Sequence, residues 1–141
     1  MVTALLVIFG LLLLDQITKY LIKTNFAINE SLVLIKNFLS ITFTTNTGSA
    51  FGMLQGFNTI FIFISFIALG FILFYWDKIK IKKDKLLVAL ITGGILGNLV
   101  DRIAYGHVID FISFSFWPAF NVADSAITIG VLSLIYLEWK K

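Results

Sequence analysis

Four long apolar stretches constrain the fold of this chain more than any other feature. They cover about residues 2–22, 59–76, 86–103 and 119–137. Each has roughly 18–21 residues, and a helix of that length crosses a hydrocarbon core of about 30 Å at 1.5 Å per residue. The 141-residue chain is 59% hydrophobic and 13% charged, far more apolar than a soluble domain. The sequence predicts an all-α polytopic membrane protein with four transmembrane helices in one domain, residues 1–141.

The distribution of lysine predicts the orientation of these helices. The turn between the second and third stretches reads DKIKIKKDK and the chain ends in KK, so seven of the eleven basic residues lie on one side. The positive-inside rule places both termini and this turn in the cytoplasm. Orientation in the bilayer therefore explains the net charge of +3 without a nucleic-acid partner. The first stretch lacks the basic start and the cleavage site of a signal peptide, so it is interpreted as a retained helix.

Two segments then face outward, residues 23–58 and 104–118. Within them, FLSITFTT (38–45) and HVIDFISFSF (107–116) are rich in β-branched and aromatic residues and nearly alternate in polarity. Such patterns are typical of strands. We expect a small extracytoplasmic β-sheet that rests on the outer surface of the membrane.

Polar residues gather at the outer ends of the predicted helices. On the fourth helix they recur at i, i+3, i+4 and i+7, which puts them on one face: Asn121, Asp124, Ser125 and Thr128. The third helix has a similar short stripe preceded by small residues: Gly93, Gly94, Gly97, Asn98, Asp101 and Arg102. Polar faces in a membrane point into the bundle, and glycines allow close approach. The third and fourth helices are therefore predicted to face each other.

Several of these polar residues also have a purely structural interpretation. Asp15 and Lys19 are four residues apart and can form a salt bridge, with Lys19 extended outward. Asp101 can pair with its neighbour Arg102 at the end of the third helix. His107 follows a glycine and is expected in a turn. Asn121 can cap the fourth helix, which leaves Asp124 without that structural role.

The side chains available limit the chemistry. The chain has no Cys and a single His, which excludes thiolate nucleophiles and His-rich metal sites. Two carboxylates close together in a medium of low dielectric constant share a proton, as an aspartic protease requires. Buried acids also serve proton relays, and polar residues can simply hold helices together in a structural subunit. A relay places acids at several depths, whereas these lie at one. The residues alone do not decide whether Asp101 or Asp110 partners Asp124.

Five motifs occur in an order that resembles the lipoprotein signal peptidase family, also called signal peptidase II. They are LLDQITKYLI (13–22), NTGSAFG (46–52), GGILGNLVDR (93–102), GHVIDF (106–111) and FNVADSAITIG (120–130). The resemblance implies a four-helix enzyme of the bacterial inner membrane with its site near the outer leaflet. It would cleave diacylglyceryl-modified prolipoproteins before the lipidated cysteine, without a metal or other cofactor. We expect a monomer in contact with membrane lipid and open to peptide inhibitors such as globomycin.

The resemblance also implies roles for individual residues. Asp110 and Asp124 match the catalytic aspartates. Residues that support the site or contact substrate match the following positions: Asp15, Lys19, Asn46, Gly48, Asn98, Asp101, Arg102, Asn121 and Ala123. Gly48 and Gly52 are expected to let the NTGSAFG segment approach the substrate closely. The segment between the two catalytic positions, residues 111–123, is short for the family, which would trim the outer sheet.

Overall fold

The computed structural model of the chain describes residues 2–48 and 56–140. Its four helices are α1 (Val2–Asn25), α2 (Asn58–Tyr75), α3 (Lys82–Tyr105) and α4 (Val122–Trp139), and a short 3₁₀ turn, Trp76–Lys78, follows α2. By length and composition all four can cross a membrane. The prediction of four spans is therefore confirmed.

The helix bounds differ from the predicted ones where hydropathy is a poor guide. Helix α3 begins at Lys82 and not near residue 86, because lysines are good helix formers even outside an apolar core. Helix α4 begins at Val122 and not near residue 119, because Trp117–Phe120 is a strand. Pro118 lies in that strand, and the residue before a proline is biased towards extended backbone.

Four strands form one antiparallel sheet in the order β1-β2-β3-β4. The strands are β1 (Ser31–Ile35), β2 (Leu39–Asn46), β3 (Val108–Phe114) and β4 (Trp117–Phe120). Both segments predicted to be extended contribute strands, so the small sheet is confirmed. In the β2–β3 register, Thr44 lies opposite Asp110 and Asn46 opposite Val108. This register brings the end of β2 next to Asp110.

Helix α3 is the centre of the bundle and packs against α1, α2 and α4. Its contact with α4 is close enough that a Cβ atom built on Gly94 would lie 2.5 Å from the backbone oxygen of Ala123. A Cβ on Gly97 would lie 2.6 Å from Asp15 Oδ2. The glycines therefore set the spacing of α1, α3 and α4, and α3 and α4 face each other as predicted.

A hydrophobic cluster joins the sheet to the end of α1. It consists of Ile22, Phe43, Ile109 and Phe111, all buried. Because Ile109 and Phe111 flank Asp110 on β3, this cluster fixes the strand that carries Asp110 against the bundle. Helix α2, in contrast, has no buried residue, as expected for a helix that faces lipid on most sides.

Candidate active site

The candidate site is a cavity of about 660 Å³ where the bundle meets the sheet. One part of its wall is polar and carries both Asp110 and Asp124. The polar lining residues are Asn46, Asn98, Arg102, Asp110, Asp124, Ser125 and Thr128. The remaining wall is largely apolar: Phe61, Val108, Trp117, Pro118, Ala119, Phe120, Ile127 and Ile129. The cavity therefore suits a ligand with both polar and apolar parts.

Asp110 reaches the cavity because the chain reverses at Gly106. This glycine ends α3 in the left-handed conformation, with φ 76°, which a residue with a side chain rarely adopts. Strand β3 then carries Asp110, only 3% exposed, back over the bundle. Its Oδ1 accepts a hydrogen bond from Asn121 Nδ2 at 2.7 Å, and its Oδ2 accepts one from Asn46 Nδ2 at 3.1 Å.

The electrostatic setting of Asp110 favours its protonated form. The pKa of Asp110 is raised to about 7: burial raises it most and the nearby charge of Asp124 also raises it, while the hydrogen bonds from Asn46 and Asn121 and the charge of Lys19 lower it. A carboxyl group with such a pKa can hold a proton near neutral pH. That property is required of a general acid.

Asp124 lies in the first turn of α4 and is part of its N-terminal cap. Asn121 Oδ1 accepts from the backbone N–H of Asp124 at 2.9 Å, and Asp124 Oδ2 accepts from the backbone N–H of Asn121 at 3.2 Å. The predicted cap by Asn121 is confirmed, but the inference that Asp124 is left out of the cap was wrong. A capping box uses both side chains. The other oxygen of Asp124, Oδ1, accepts from Asn98 Nδ2 at 2.7 Å, and Asp124 lines the cavity.

Lys19 lies behind the two aspartates and is 2% exposed. Its Nζ atom is 2.8 Å from Asp15 Oδ2, 2.9 Å from Asp101 Oδ2 and 3.0 Å from Asn98 Oδ1. The predicted Asp15–Lys19 salt bridge is confirmed, but Lys19 points into the bundle and not outward. Three acceptors inside the protein match the three N–H groups of the ammonium, so burial leaves none unpaired.

Asp101 connects three elements and does not form the expected ion pair with Arg102. Besides Lys19, it accepts hydrogen bonds from Gln16 Nε2 and from the backbone N–H of Ile109, each at 3.0 Å. Consecutive helix residues point about 100° apart, so when Asp101 faces α1, Arg102 must face elsewhere. Asp101 is fully buried and does not line the cavity. Its contacts link α1, α3 and β3, which is a structural role.

Arg102 is directed to the cavity. Its guanidinium lies 5.1 Å from the centre of the Phe61 ring, and Nη2 donates to the carbonyl oxygen of Gly48 at 3.3 Å. Within residues 2–48 and 56–140, no group accepts from its buried Nε atom. Gly48 also donates its N–H to Asn46 Oδ1 at 2.9 Å. The expectation for Gly52 falls outside the described residues.

The remaining predicted residues support the same region. The backbone N–H of Ala123 donates to Asp15 Oδ1 at 2.9 Å, which ties α1 to the start of α4. The sequence did not predict that Gln16 and Phe61 belong to this region. Gln16 could have been found, because it adjoins Asp15 within a polar stretch of an apolar helix. No sequence pattern distinguishes Phe61, because it is one of several aromatic residues in α2. In the part of the chain that the structure describes, no group of three or more His, Cys, Asp or Glu side chains could hold a metal ion.

Comparisons with known proteins agree on one family. The model of the family described as Signal peptidase (SPase) II matches residues 7–140. The lipoprotein signal peptidase of Halothermothrix orenii is 39% identical over 137 residues, covering 96% of this chain and 94% of the relative. That of Syntrophus aciditrophicus is 45% identical over 135 residues, covering 88% of this chain and 84% of the relative.

Solved structures show the same likeness in three dimensions. A bacterial membrane enzyme determined by the in meso method at 2.3 Å resolution aligns with a TM-score of 0.94 and 36% identity, over 99% of this chain and 89% of that one. A second, at 1.9 Å resolution, aligns with a TM-score of 0.91 and 35% identity, over 100% of this chain and 95% of that one. With its four helices able to cross a membrane and a family match along nearly its whole length, the chain belongs to the signal peptidase (SPase) II family.

Proposed function

We propose that this protein is an aspartic endopeptidase that removes signal peptides from diacylglyceryl-modified prolipoproteins, cleaving before the lipidated cysteine. The observation that carries the proposal is the placement of Asp110 and Asp124 on the polar wall of one cavity. The name of the relatives, lipoprotein signal peptidase, supports the substrate class. The resemblance of the GHVIDF and FNVADSAITIG motifs supports the choice of the two aspartates.

The chemistry needs one charged and one protonated carboxyl group. The charged aspartate takes a proton from water as the water oxygen attacks the scissile carbonyl carbon, and the protonated one gives its proton to the carbonyl oxygen. The resulting tetrahedral diol collapses when the aspartate that took a proton from water gives it to the leaving nitrogen, the other aspartate takes back a proton from a hydroxyl of the diol, and the C–N bond breaks. The products are a signal peptide with a new carboxyl group and a lipoprotein with a free amino group on its cysteine. The burial of Asp110 and its pKa of about 7 support this division of roles.

The cavity walls support a substrate with a peptide part and a lipid part. The peptide around the scissile bond would lie along the polar wall, beside Arg102. The signal peptide would lie as a helix against the bundle, with its last residues unwound across the two aspartates. The diacylglyceryl chains would remain in lipid beside the apolar wall. A peptide inhibitor such as globomycin would occupy the same cavity.

The proposed location follows the lysine distribution. Both termini and the turn around residues 78–85 would lie in the cytoplasm of a bacterium, and the sheet outside. The site would then lie near the outer leaflet of the inner membrane, where a prolipoprotein arrives after translocation. We expect the monomer to be the active unit, because Asp110 and Asp124 come from one chain.

The test is cleavage of a diacylglyceryl-modified prolipoprotein by purified Asp110→Asn and Asp124→Asn variants. Each should lower kcat by roughly 10²–10⁴-fold or more, because general acid and base catalysis contributes that much. Both variants should unfold in detergent at about the same temperature as the unmodified enzyme. The matched control is Asp77→Asn, an exposed aspartate on the lysine-rich side, which should stay within about twofold of the unmodified enzyme because surface changes have small effects. Substantial turnover by either site variant would exclude the proposed dyad.

A further inference from the structure

Three asparagines hold the two aspartates, and the orientation of each amide is fixed by a group that can only donate. Asn46 Oδ1 accepts from the backbone N–H of Gly48 at 2.9 Å, and Asn121 Oδ1 accepts from the backbone N–H of Asp124 at 2.9 Å. Asn98 Oδ1 accepts from the Lys19 ammonium at 3.0 Å. A backbone N–H and an ammonium have no acceptor atom. Each amide must therefore turn its oxygen to that donor and its Nδ2 to an aspartate.

Lys19 differs from the other two donors, because it is a side chain and carries a full charge. Asn98 Oδ1 accepts from Lys19 and also from Asn121 Nδ2 at 3.1 Å, so both of its lone pairs are used. Its Nδ2 donates to Asp124 Oδ1 at 2.7 Å, a short bond. A hydrogen bond received from a cation polarises the amide and strengthens the bond that its N–H makes. Through Asn98, the charge of Lys19 thus strengthens the hydrogen bond that Asp124 accepts.

The two carboxyl groups consequently have unequal surroundings. Asp124 accepts hydrogen bonds from Asn98 Nδ2, whose amide is held by Lys19, and from the backbone N–H of Asn121. It also lies at the N-terminus of α4, where the helix dipole favours a negative charge. Asp110 lies on a strand and receives N–H groups from two asparagine side chains, Asn121 and Asn46, with no helix dipole. The pKa of about 7 for Asp110, caused first by its burial, agrees with this difference. The charged or titratable groups around the pair come from α1 and α3: Asp15, Lys19, Asp101 and Arg102.

We propose that Lys19 is a positioning residue of the reaction: it holds the Asn98 amide with its N–H on Asp124, so that Asp124 is the charged base and the shared proton lies on Asp110. This inference rests on the proposed function and extends it. It gives a structural cause for the division of roles between the two aspartates, and it gives a chemical task to a buried lysine that touches neither of them directly.

The experiment compares the pH dependence of kcat/KM for the unmodified enzyme and for Lys19→Met in the prolipoprotein cleavage assay. Without the ammonium, Asn98 is free to rotate and Asp124 loses a fixed donor, so the dyad holds its proton more tightly. Both limbs of the profile should move to higher pH by about one unit, and kcat should fall at least about tenfold. Lys23→Met is the matched control, because Lys23 is an exposed lysine one turn along α1 that contacts the Tyr105 ring. Its profile should coincide with that of the unmodified enzyme.

A second variant separates this role from the stability of the ion cluster. Lys19→Met leaves Asp15 and Asp101 without their cation. Asn98→Leu keeps both ion pairs and removes the hydrogen bonds that Asn98 makes with Lys19, Asn121 and Asp124, so that Lys19 no longer reaches Asp124 through the amide. Asn98→Leu should show the same shift of both limbs while its unfolding temperature stays nearer to that of the unmodified enzyme. If folded Asn98→Leu protein has limbs at the original pH values, the positioning role is excluded. Cleavage by the unmodified enzyme in the same assay tests the proposed function separately, so the two failures are distinguishable.

Discussion

Replacing Gly94 with alanine tests whether the spacing of α3 and α4 controls the geometry of the site. A Cβ atom at this position would lie 2.5 Å from the backbone oxygen of Ala123 and 2.7 Å from Ile127 Cγ1. The backbone oxygen belongs to the first turn of α4 and cannot rotate away, unlike the end of a side chain. The added methyl group must therefore push α3 and α4 apart.

The required movement can be read from the same distances. An ordinary contact begins at 3.4 Å, so the relief of the 2.5 Å approach needs about 0.9 Å. The bond from Asn98 Nδ2 to Asp124 Oδ1, one turn along α3, is 2.7 Å long. A full transfer of that movement lengthens it to about 3.6 Å, beyond the usual limit of about 3.2 Å for an N–H···O bond. Overpacking of this kind costs about 1–3 kcal/mol, of which the better helix propensity of alanine offsets about 0.5–1 kcal/mol.

We expect Gly94→Ala to lower the unfolding free energy by about 1–2 kcal/mol and kcat/KM at least about tenfold. Thermal unfolding in detergent measures the first effect, and prolipoprotein cleavage, corrected for the folded fraction, measures the second. The control is Gly10→Ala, because Gly10 is also helical but a Cβ there meets nothing within 4 Å. A Gly94→Ala protein as stable and as active as Gly10→Ala would refute the argument that close α3–α4 contact positions the site.

Three further predictions concern pH, stability and topology. Because Asp110 acts in its protonated form, kcat/KM should fall as pH rises through about 7, and Asn46→Ala should move this limb to higher pH, since the Asn46 hydrogen bond lowers the pKa of Asp110. Asp101→Asn, which removes one of the two carboxylates paired with Lys19, should lower the unfolding free energy by roughly 3–5 kcal/mol in chemical unfolding and leave part of the activity. The chain has no Cys, so a membrane-impermeant maleimide should label Lys36→Cys in whole cells and Lys80→Cys only after lysis; the reverse pattern would invert the proposed orientation.

Hydropathy predicted the spans, alternating polarity with β-branched and aromatic residues predicted the small sheet, and helical spacing predicted the polar face of α4. These features depend on local properties. An apolar run of about 20 residues has to satisfy its backbone within a helix wherever it lies in a bilayer, and the spacing i, i+3, i+4 puts side chains on one face of any helix. The predicted starts of α3 and α4 were wrong by a few residues, because around Lys82 and Pro118 helix propensity and the backbone preference before proline, not hydropathy, determine where the helix begins.

The partners of the buried charges could not be predicted from neighbouring positions in the sequence. Asp101 precedes Arg102 but pairs with Lys19, 82 residues away, and Lys19 points into the bundle although its place in α1 allowed it to extend outward. These partners depend on how each helix is rotated about its axis. That rotation follows from the tertiary packing around Gly93, Gly94, Gly97 and Gly130, because the lack of a Cβ atom at these positions lets a neighbouring helix come close.

The sequence by itself determined that this chain enters a membrane and which polar residues gather at one end of its helices. The tertiary structure decided which of them share a cavity. Asp110 lies beside Asp124 because the β2–β3 register and the turn at Gly106 fold β3 back over the bundle, while Asp101 is held between α1 and β3. Register and helix rotation are set by contacts between residues far apart in the chain, and no local pattern records them.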